Sequence, residues 1–478
     1  MNKKWFLVLF FLLLFACRKE SKTLPPPIQI PQKLPPANGL AVTVTIDQKN
    51  LGAVIPENFE GLSYETAILT QNPEVLNLND KVFIQLIKNL GPGLLRIGGD
   101  SSDEIFWTGN TRKTGTGKDS LTTSDIDRLA AFSSQTGWPV LFGLNFGSSN
   151  IGAAVSESEY AYGSLQNNLY ALQVGNEPDV YQLYGLRSPN YSIDDYLGEF
   201  ETYRLAIRST VPSASFAGPG IAYDTDFIGS FADNESNNVS MLDAHYYVAG
   251  PATDPSITYK TILSYNWKLG NLFNVLTQNS NKFSLPFRIT ECNSIYGGGK
   301  AGVSDIFASA LWALDLMWTI ASDNGQGINF HGGTGLVYSP ITTDNGVITA
   351  RPEYYAMLAF KYASTGGTII SAANNQPGYN CSTYAAVNTV NNTTSVTLIN
   401  KDDINNLSFT IQAGKTVSNI EIAWLTAPAI TSTTGLTFAG GKVKADGTFV
   451  PAPTEYAVNQ TSFVVNVPAG NAAVVTFK

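Results

Sequence analysis

The sequence predicts an α/β protein: a (β/α)8 barrel followed by an all-β sandwich. Between about residues 57 and 365, eight short apolar runs alternate with longer amphipathic segments. Strands that alternate with helices indicate parallel βα units, and eight units over roughly 300 residues match the size of a closed barrel. After residue 365 the pattern changes to short runs of alternating polarity with Asn, Gly, Asp and Pro turns, which is typical of a sandwich.

Each predicted barrel strand is almost continuously apolar before a polar end, as expected for strands buried on both faces. In chain order the eight runs are 58–65, 93–99, 139–146, 171–177, 215–221, 241–247, 287–293 and 328–333. A doubly wound open sheet is the competing fold, but no G-x-G-x-x-G motif follows the first strand. The sequence therefore favours the closed barrel.

Amphipathic segments between these strands predict the barrel helices. Segments 80–90 and 196–210 carry apolar residues three and four positions apart, so each presents one apolar face. Segment 304–322 is apolar over most of its surface and begins at Ser304, a residue type that often caps helices. We expect all three segments to pack against the barrel.

The alternating runs of the C-terminal part read as sandwich strands, among them 394–400, 406–413, 419–426 and 461–469. The early run 39–47 has the same alternation and is predicted to complete that sandwich. The predicted divisions are a signal peptide at 1–17, a linker at 18–38, one or more sandwich strands at 39–56, the barrel at 57–365 and the sandwich at 366–478.

The N-terminal segment has the pattern of an export signal. Lys3 and Lys4 precede an apolar run over residues 5–16, which is too short to span a bilayer and fits a secretory signal peptide. Ala16-Cys17 resembles a bacterial lipoprotein processing box, so we expect Cys17 to be lipidated. The six prolines of segment 18–38 predict an extended tether. The protein is thus expected to be exported and lipid-anchored to a bacterial membrane, facing the periplasm or the cell surface.

Composition excludes several classes of function. Lys plus Arg is 29 and Asp plus Glu is 38, so the net charge is −9, and charged residues make up 14% of the chain. This acidic balance lacks the basic surface of a nucleic-acid binder and disfavours a groove for heavily sulfated polymers. His245 and His331 are the two histidines, and they form no metal-ligand spacing with each other or with cysteines. We therefore expect no metal and no cofactor.

Two carboxylates stand at the ends of predicted barrel strands, where active sites of such barrels lie. Glu177 follows the fourth apolar run, and Glu291 lies near the end of the seventh. Strands three apart around one barrel direct these side chains into a common cleft from different sides. Paired carboxylates in one cleft are typical of glycoside cleavage, in which one acts as acid/base and the other as nucleophile or base.

Neighbouring polar residues support the same chemistry. Asn176, beside Glu177, offers an amide that can hydrogen-bond a sugar 2-hydroxyl as charge develops. Arg96, on the second predicted strand, points into the same space and has two interpretations. It either keeps Glu291 ionised, which leaves Glu177 with the raised pKa, or forms a structural ion pair within the barrel. We expect His245 to hydrogen-bond a catalytic carboxylate or the barrel wall.

These motifs resemble glycoside hydrolase family 79 within clan A of the retaining glycosidases. The resemblance rests on Asn176-Glu177-Pro178, on Thr290-Glu291-Cys292-Asn293-Ser294, and on the flanking segments 94–103, 243–247 and 329–338, and it covers nearly all of residues 39–478. That family contains β-glucuronidases and heparanases, and its fold is a (β/α)8 barrel with a β-sandwich.

The resemblance implies a role for each matching position. Glu177 becomes the acid/base, Glu291 the nucleophile and Asn176 the partner of the 2-hydroxyl. Further residues implied to bind substrate are Glu65, Tyr247, Tyr296, Tyr338, the main-chain N–H of Val337, and one aspartate of the segment 98–103, for which Asp100 and Asp103 are both open.

We expect a retaining exo-β-D-glucuronidase that acts on a glucuronate-containing oligosaccharide or glycoside. One alternative keeps the clan chemistry with a neutral sugar or with endo cleavage of a glucuronate-containing polymer. A further alternative is a non-catalytic glycan-binding lipoprotein. The tyrosines Tyr247, Tyr296 and Tyr338 favour a uronate, and retention of both glutamates favours an enzyme.

Overall fold

The computed structural model describes residues 32–112, 119–344 and 346–478. The predicted signal peptide 1–17 with Cys17, most of the predicted linker, and the loop 114–118 lie outside these described residues. Within the described part, no helix has the length and apolar character needed to cross a membrane.

Eight parallel strands form a closed barrel, which confirms the predicted fold class. Each strand pairs with the next along the chain, and β8 closes the barrel against β1. The strands are β1 Glu60–Glu65, β2 Leu94–Gly98, β3 Val140–Leu144, β4 Leu169–Val174, β5 Phe216–Ile221, β6 Met241–Ala249, β7 Phe287–Ile295 and β8 Ile328–Gly332. All eight coincide with the apolar runs of the sequence.

A long helix follows each barrel strand and covers its outer face. These helices are Lys81–Leu90, Thr123–Thr136, Ile151–Leu165, Ile193–Thr210, Thr225–Glu235, Trp267–Phe283, Phe307–Ser322 and Pro352–Ser364. Short elements interrupt the loops: the helices Ala67–Gln71 and Tyr259–Ile262, the 3-10 turns Asp100–Asp103, Gln166–Asn168 and Pro178–Val180, and the strand pairs Phe106–Trp107 with Ser120–Leu121 and Ile341–Asp344 with Val347–Ala350.

A capping side chain explains where one of the predicted helices begins, but not where another does. Asp80 accepts a hydrogen bond from the Phe83 amide at 2.8 Å, and so satisfies one of the free N–H groups of the first turn. Ser304 was expected to cap the apolar helix, but that helix begins at Phe307. The Ser304 hydroxyl instead accepts from the Lys300 amide at 2.9 Å, inside the preceding turn.

The C-terminal part is a β-rich domain whose nine-stranded sheet folds back on itself. Its strands are Gln32–Lys33, Leu40–Val54, Thr368–Asn374, Cys381–Asn388, Thr393–Asn400, Leu407–Thr426, Thr437–Phe438, Thr454–Val467 and Asn471–Phe477. The 20-residue strand Leu407–Thr426 pairs with Leu40–Val54 along its first half and with Asn471–Phe477 along its second half, so the sheet encloses its own apolar core.

The N-terminal strand Leu40–Val54 lies in this sheet between Leu407–Thr426 and Thr368–Asn374. The chain therefore enters the β-rich domain, crosses to the barrel and returns. Gln32–Lys33 also pairs with this sheet, through Tyr456 and Ala457. The last residues of the predicted linker 18–38 are consequently part of the folded domain and not of a free tether.

The two domains share one apolar core along the last barrel helices. The Phe307 amide donates to the Ser432 carbonyl at 2.8 Å, and the Trp318 ring stacks on Tyr384 with centroids 5.7 Å apart. Beside them Lys401 donates to Asp315 at 2.7 Å. The β-rich domain thus packs against the helices behind β7 and β8, the strands that carry Glu291 and His331.

Candidate active site

The carboxyl ends of the barrel strands open into a cavity of about 1020 Å³. Residues from seven strand ends or the loops after them line it, as expected for a barrel whose active site lies at this face. They include Glu65, Asp100, Glu177, His245, Tyr247, Glu291, Tyr296, His331 and Tyr338.

The structure brings Glu177 and Glu291 together in this cavity. Carboxylate oxygens of these two residues and a ring nitrogen of His245 all lie within 4.8 Å of one another. Carboxyl groups in retaining glycosidases are about 5–5.5 Å apart, whereas inverting enzymes need about 6.5–9.5 Å to admit a water molecule. The separation therefore fits direct attack by one carboxylate on the sugar.

A register shift between β6 and β7 sets the direction of Glu291. Ala244 pairs with Ile289, but the next residue, His245, pairs with Glu291, so Thr290 is left as a bulge. Because of this bulge, Glu291 lies beside His245 at the mouth. Cys292 remains fully buried in the apolar core, where it is a free thiol.

Arg96 lies beneath the candidate active site and contacts both Glu291 and Asn176, the neighbour of Glu177. It is completely buried, and its guanidinium donates to Glu291 Oε2 at 2.6 Å and to Asn176 Oδ1 at 2.8 Å. The guanidinium also donates to the Gln173 side chain at 2.9 Å and to the Ser63 hydroxyl at 3.0 Å. The sequence left open whether Arg96 serves Glu291 or the barrel wall, and the geometry shows that it does both.

The surroundings of Glu291 favour its ionised form. Burial by itself would raise the pKa of this carboxyl, but His331, His245 and Arg96 outweigh burial and hold the pKa well below its usual range. The Tyr247 hydroxyl adds a hydrogen bond to Oε1 at 2.8 Å. An ionised carboxylate held by fixed donors has the properties of a nucleophile.

Glu177 has the opposite environment. Burial and the negative charge of Glu291 raise its pKa well above the ordinary value, so the protonated form of this carboxyl is favoured. His245 Nδ1 lies 2.8 Å from Oε1, and burial lowers the pKa of His245 to about 4. The imidazole is therefore neutral near neutral pH, and its charge lowers the pKa of Glu291 only in acid, where His245 is protonated. Glu177 also holds a left-handed backbone, with φ at 53°, which is uncommon for a non-glycine residue and recurs at functional sites.

Glu65 and Asp100 form a polar wall beside the two glutamates. Glu65 accepts from the amide and hydroxyl of Ser101, and His331 lies 3.5 Å away. Asp100 accepts from Asn176 Nδ2 at 3.0 Å, and burial together with nearby Glu177 raises its pKa to about 7. Gly99 precedes Asp100 with φ at 73°, and a Cβ there would lie 2.2 Å from the Glu65 carboxylate, so a side chain at this position would strain the backbone and displace that carboxylate.

The structure places Asp100 and Asp103 in different environments. Asp103 is buried beneath the mouth and accepts four hydrogen bonds: from the amides of Phe146, Gly147 and Asn176 at 2.8–3.1 Å, and from the Tyr181 hydroxyl at 2.7 Å. It ties the loops after β2, β3 and β4 together. Asp100 is among the residues that line the cavity, so its carboxylate is the better placed of the two to meet a sugar.

Several residues at the cavity were not singled out from the sequence. His331 lies 3.7 Å from Glu291. Tyr184 and Tyr223, in loops after barrel strands, and Trp267, the first residue of the helix Trp267–Phe283, also line the cavity. An aromatic residue just after a predicted barrel strand is the signal that could have found the last three.

Glu177, His245 and Glu291 are also the described residues whose donor atoms are grouped closely enough to hold a metal ion. The protein already compensates the negative charge of Glu291, because the Arg96 cation lies 2.6 Å from this carboxylate and the Tyr247 hydroxyl donates to its other oxygen. A divalent cation there would have to compete with a buried guanidinium. The arrangement fits acid/base chemistry better than metal chemistry.

Comparisons with known proteins agree with this geometry. The chain is 27% identical over 264 residues to a β-glucuronidase of Aspergillus niger, a match that covers 48% of this chain and 49% of that protein. It is 23% identical over 392 residues to a hyaluronoglucuronidase of Hirudo nipponia, covering 72% and 77%. The chain thus spans about half the length of the first of these relatives. No protein-family model matches the chain.

The fold is shared with a 4-O-α-L-rhamnosyl-β-D-glucuronidase of Fusarium oxysporum. The TM-score is 0.72 at 19% identity, and the alignment covers 91% of this chain and all of the other. The chain is thus similar to the family 79 glycoside hydrolases. The positions predicted to bind sugar can therefore be located in the structure one by one.

The tyrosines predicted for uronate recognition lie at the cavity, but the predicted amide has another partner. Tyr338 is buried against Tyr247, with ring centroids 6.2 Å apart, and Tyr296 is half exposed at the rim. The Val337 N–H, however, donates to the Gly298 carbonyl at 2.7 Å. In this structure the predicted amide is therefore engaged within the protein, and the role of Val337 in sugar binding stays a prediction.

Proposed function

We propose that this protein is a retaining exo-β-D-glucuronidase. The observation that carries the proposal is the pair Glu177 and Glu291, with carboxylate oxygens within 4.8 Å and pKa values displaced in opposite directions. A protonated acid and an ionised nucleophile at this separation are what double displacement requires.

In the first step, the Glu177 carboxyl gives its proton to the glycosidic oxygen while Glu291 attacks the anomeric carbon. The C–O bond to the leaving group breaks, and an ester bond between the sugar and Glu291 forms. Arg96 and Tyr247 hold the attacking carboxylate in place. Asn176, oriented by Arg96 and Asp100, has its amide available for the sugar 2-hydroxyl.

In the second step, the ionised Glu177 takes a proton from a water molecule, which then attacks the anomeric carbon. The ester bond to Glu291 breaks, and the sugar leaves with its original β configuration. The neutral His245 beside Glu177 donates or accepts one hydrogen bond without adding a charge, so the carboxyl can change its protonation state between the steps.

The choice of glucuronate rests on two kinds of support. The relatives found by sequence are named β-glucuronidase and hyaluronoglucuronidase. In the cavity, the hydroxyl groups of Tyr296 and Tyr338 are donors that suit a sugar carboxylate, and His331 carries a raised pKa because Glu291 and Glu65 outweigh its burial. The raised pKa favours the cationic form of His331, which partly offsets the acidic wall.

Release of nitrophenol from aryl β-D-glucuronide, compared with the β-glucoside, β-xyloside and β-galactoside, tests the proposal. We expect turnover of the glucuronide with retention of configuration, followed by proton NMR of the released sugar. Cleavage of a neutral glycoside instead would keep the two glutamates and reject the uronate pocket. Cleavage of polymer alone would indicate endo action, and binding without cleavage of any substrate would indicate a non-catalytic glycan-binding protein.

We also propose, from the sequence of residues 1–38, that the protein is exported and held on a bacterial membrane by a lipid at Cys17. The support is the basic start, the short apolar run and the Ala16-Cys17 pair. Radiolabelled palmitate should enter the wild-type protein, and Cys17→Ala should abolish the label and release the protein from the membrane fraction. Equal labelling of both forms contradicts the anchor.

A further inference from the structure

Four large apolar side chains stand exposed around the mouth of the active-site cavity. Leu183, Tyr184, Tyr223 and Trp267 all line it, and between 64% and 68% of each residue is exposed to solvent. Folded proteins rarely leave such residues grouped on the surface without a ligand, because burying them is favourable. The grouping therefore points to a binding surface.

The origin of these residues divides the mouth into two halves. Tyr184 and Tyr223 stand in the loops after β4 and β5, Trp267 is the first residue of the helix after β6, and together they form the apolar half. The opposite half is polar and comes from β1, β2 and β8, through Glu65, Asp100, His331 and Tyr338. Sugar hydroxyls can be bound by the polar half, whereas the apolar half offers flat rings.

Glu177 shows which half receives the leaving group. It follows β4, and its partner His245 lies on β6, so the acid stands on the side of the apolar half. The acid must reach the glycosidic oxygen, which connects the sugar being cleaved to the rest of the substrate. A sugar seated among the polar residues therefore extends its leaving group past Glu177 toward Tyr223 and Trp267.

Resting on the proposed function, we infer that Tyr184, Tyr223 and Trp267 form a platform for the sugar rings on the leaving-group side of an oligosaccharide. Pyranose rings present apolar C–H faces that pack on aromatic rings, while their hydroxyls remain in water. The cavity of about 1020 Å³ exceeds the space of a single sugar, so it has room for this extension.

The charges near the platform define the class of oligosaccharide. Among the described residues that line the cavity, Lys268 is the one lysine or arginine, and Asp254 lies in the same lining. A sulfated chain needs several cations to neutralise its groups. The platform therefore suits neutral or singly charged sugar units, consistent with the overall charge of −9.

The test compares two substrates that share the terminal sugar. Methyl β-D-glucuronide occupies the polar half alone, whereas a tetrasaccharide with terminal β-glucuronate also reaches the platform. We expect Trp267→Ala and Tyr223→Ala to lower kcat/KM for the tetrasaccharide by about threefold to tenfold and to leave the methyl glucuronide unchanged. Trp267→Phe should restore part of the loss, because it keeps a flat ring.

Tyr265→Ala is the matched control. Tyr265 lies two residues from Trp267 and is 88% exposed, but it lines a separate cavity of about 830 Å³ between the barrel and the β-rich domain. We expect this variant to leave both substrates unchanged. If Trp267→Ala left the ratio of kcat/KM for the tetrasaccharide to kcat/KM for the methyl glucuronide unchanged, whether or not both values fell, the platform would be overturned.

Failure of the proposed function has a different result. If the wild-type protein cleaves neither glucuronide but cleaves a neutral glycoside, the uronate assignment is wrong. The platform is then tested by the ratio of kcat/KM for an oligosaccharide to kcat/KM for the methyl glycoside, both ending in that neutral sugar. Calorimetry with Glu177→Gln gives a second readout without turnover. Tetrasaccharide binding no tighter than that of the methyl glycoside would overturn the platform.

Discussion

Replacing Arg96 by methionine is expected to move both limbs of the pH–rate profile toward higher pH. The guanidinium is fully buried and lies 2.6 Å from Glu291, so removing it leaves a carboxylate without its buried counter-charge. Such a loss costs about 3–5 kcal/mol. We take about 3 kcal/mol, the lower end, because the hydrogen bond from Tyr247 remains.

One pKa unit corresponds to about 1.36 kcal/mol, so this loss raises the pKa of Glu291 by about two units. Glu291 must be ionised to attack, and its pKa is held low in the native protein. The acidic limb of the kcat/KM profile therefore moves to higher pH in Arg96→Met. Arg96 also lowers the pKa of Glu177, which must be protonated, so its removal moves the alkaline limb to higher pH as well.

The assay is kcat/KM for an aryl glucuronide between pH 3 and 9, with thermal unfolding measured alongside. Arg204→Met is the matched control, because Arg204 is buried in an ion pair with Glu235, at 3.2 Å, on the outer helices. Both variants should unfold at lower temperature, but the control should keep the wild-type pH profile. A folded Arg96→Met protein with unshifted limbs would refute the electrostatic role of Arg96.

Three further predictions follow from the same geometry. Glu291→Ala should abolish turnover, whereas Glu177→Ala should keep slow cleavage of aryl glycosides and gain rate with azide, which attacks the glycosyl-enzyme without the help of a base; near-normal activity of Glu291→Ala would remove it as nucleophile. Asp100→Ala should raise KM with little change in melting temperature, while Asp103→Ala should lower the melting temperature because four donors lose their acceptor; the reverse pattern would contradict the assignment. Burial raises the pKa of Glu157 to about 8, so its contribution to stability is complete below pH 4 and is lost as the pH rises through 8. Glu157→Gln should therefore raise the melting temperature at pH 8 and not at pH 4, and equal shifts at both would show that the charge is not the cause.

The barrel was predictable because its strands carry a local pattern. Each strand is buried on both faces, so its sequence is continuously apolar whatever its partner, and the eight runs coincide with the eight observed strands. Helix starts were less predictable. Ser304 has the chemistry of a cap, yet the turn before the helix uses its hydroxyl, and that turn is not evident from local residue preference.

The candidate site was predictable where strand ends alone placed a residue. Glu177 and Glu291 follow apolar runs of strands three apart, so their convergence needed no knowledge of loops. Asp100 and Asp103 were not separable, because both lie in one 3-10 turn and their roles depend on partners more than 40 residues away. The partner of the Val337 amide was not predictable for the same reason, since Gly298 lies in a different loop.

The sequence by itself determined the repeating βα pattern, the order of the domains and the two glutamates at the barrel mouth. These depend on burial and periodicity, which act on neighbouring residues in the chain. The tertiary structure decided the carboxylate separation, the opposite pKa displacements of Glu177 and Glu291, and the aromatic rim of Tyr184, Tyr223 and Trp267. Those properties are set by distances between residues far apart in the chain and by the removal of water around them, and neither exists before the barrel closes.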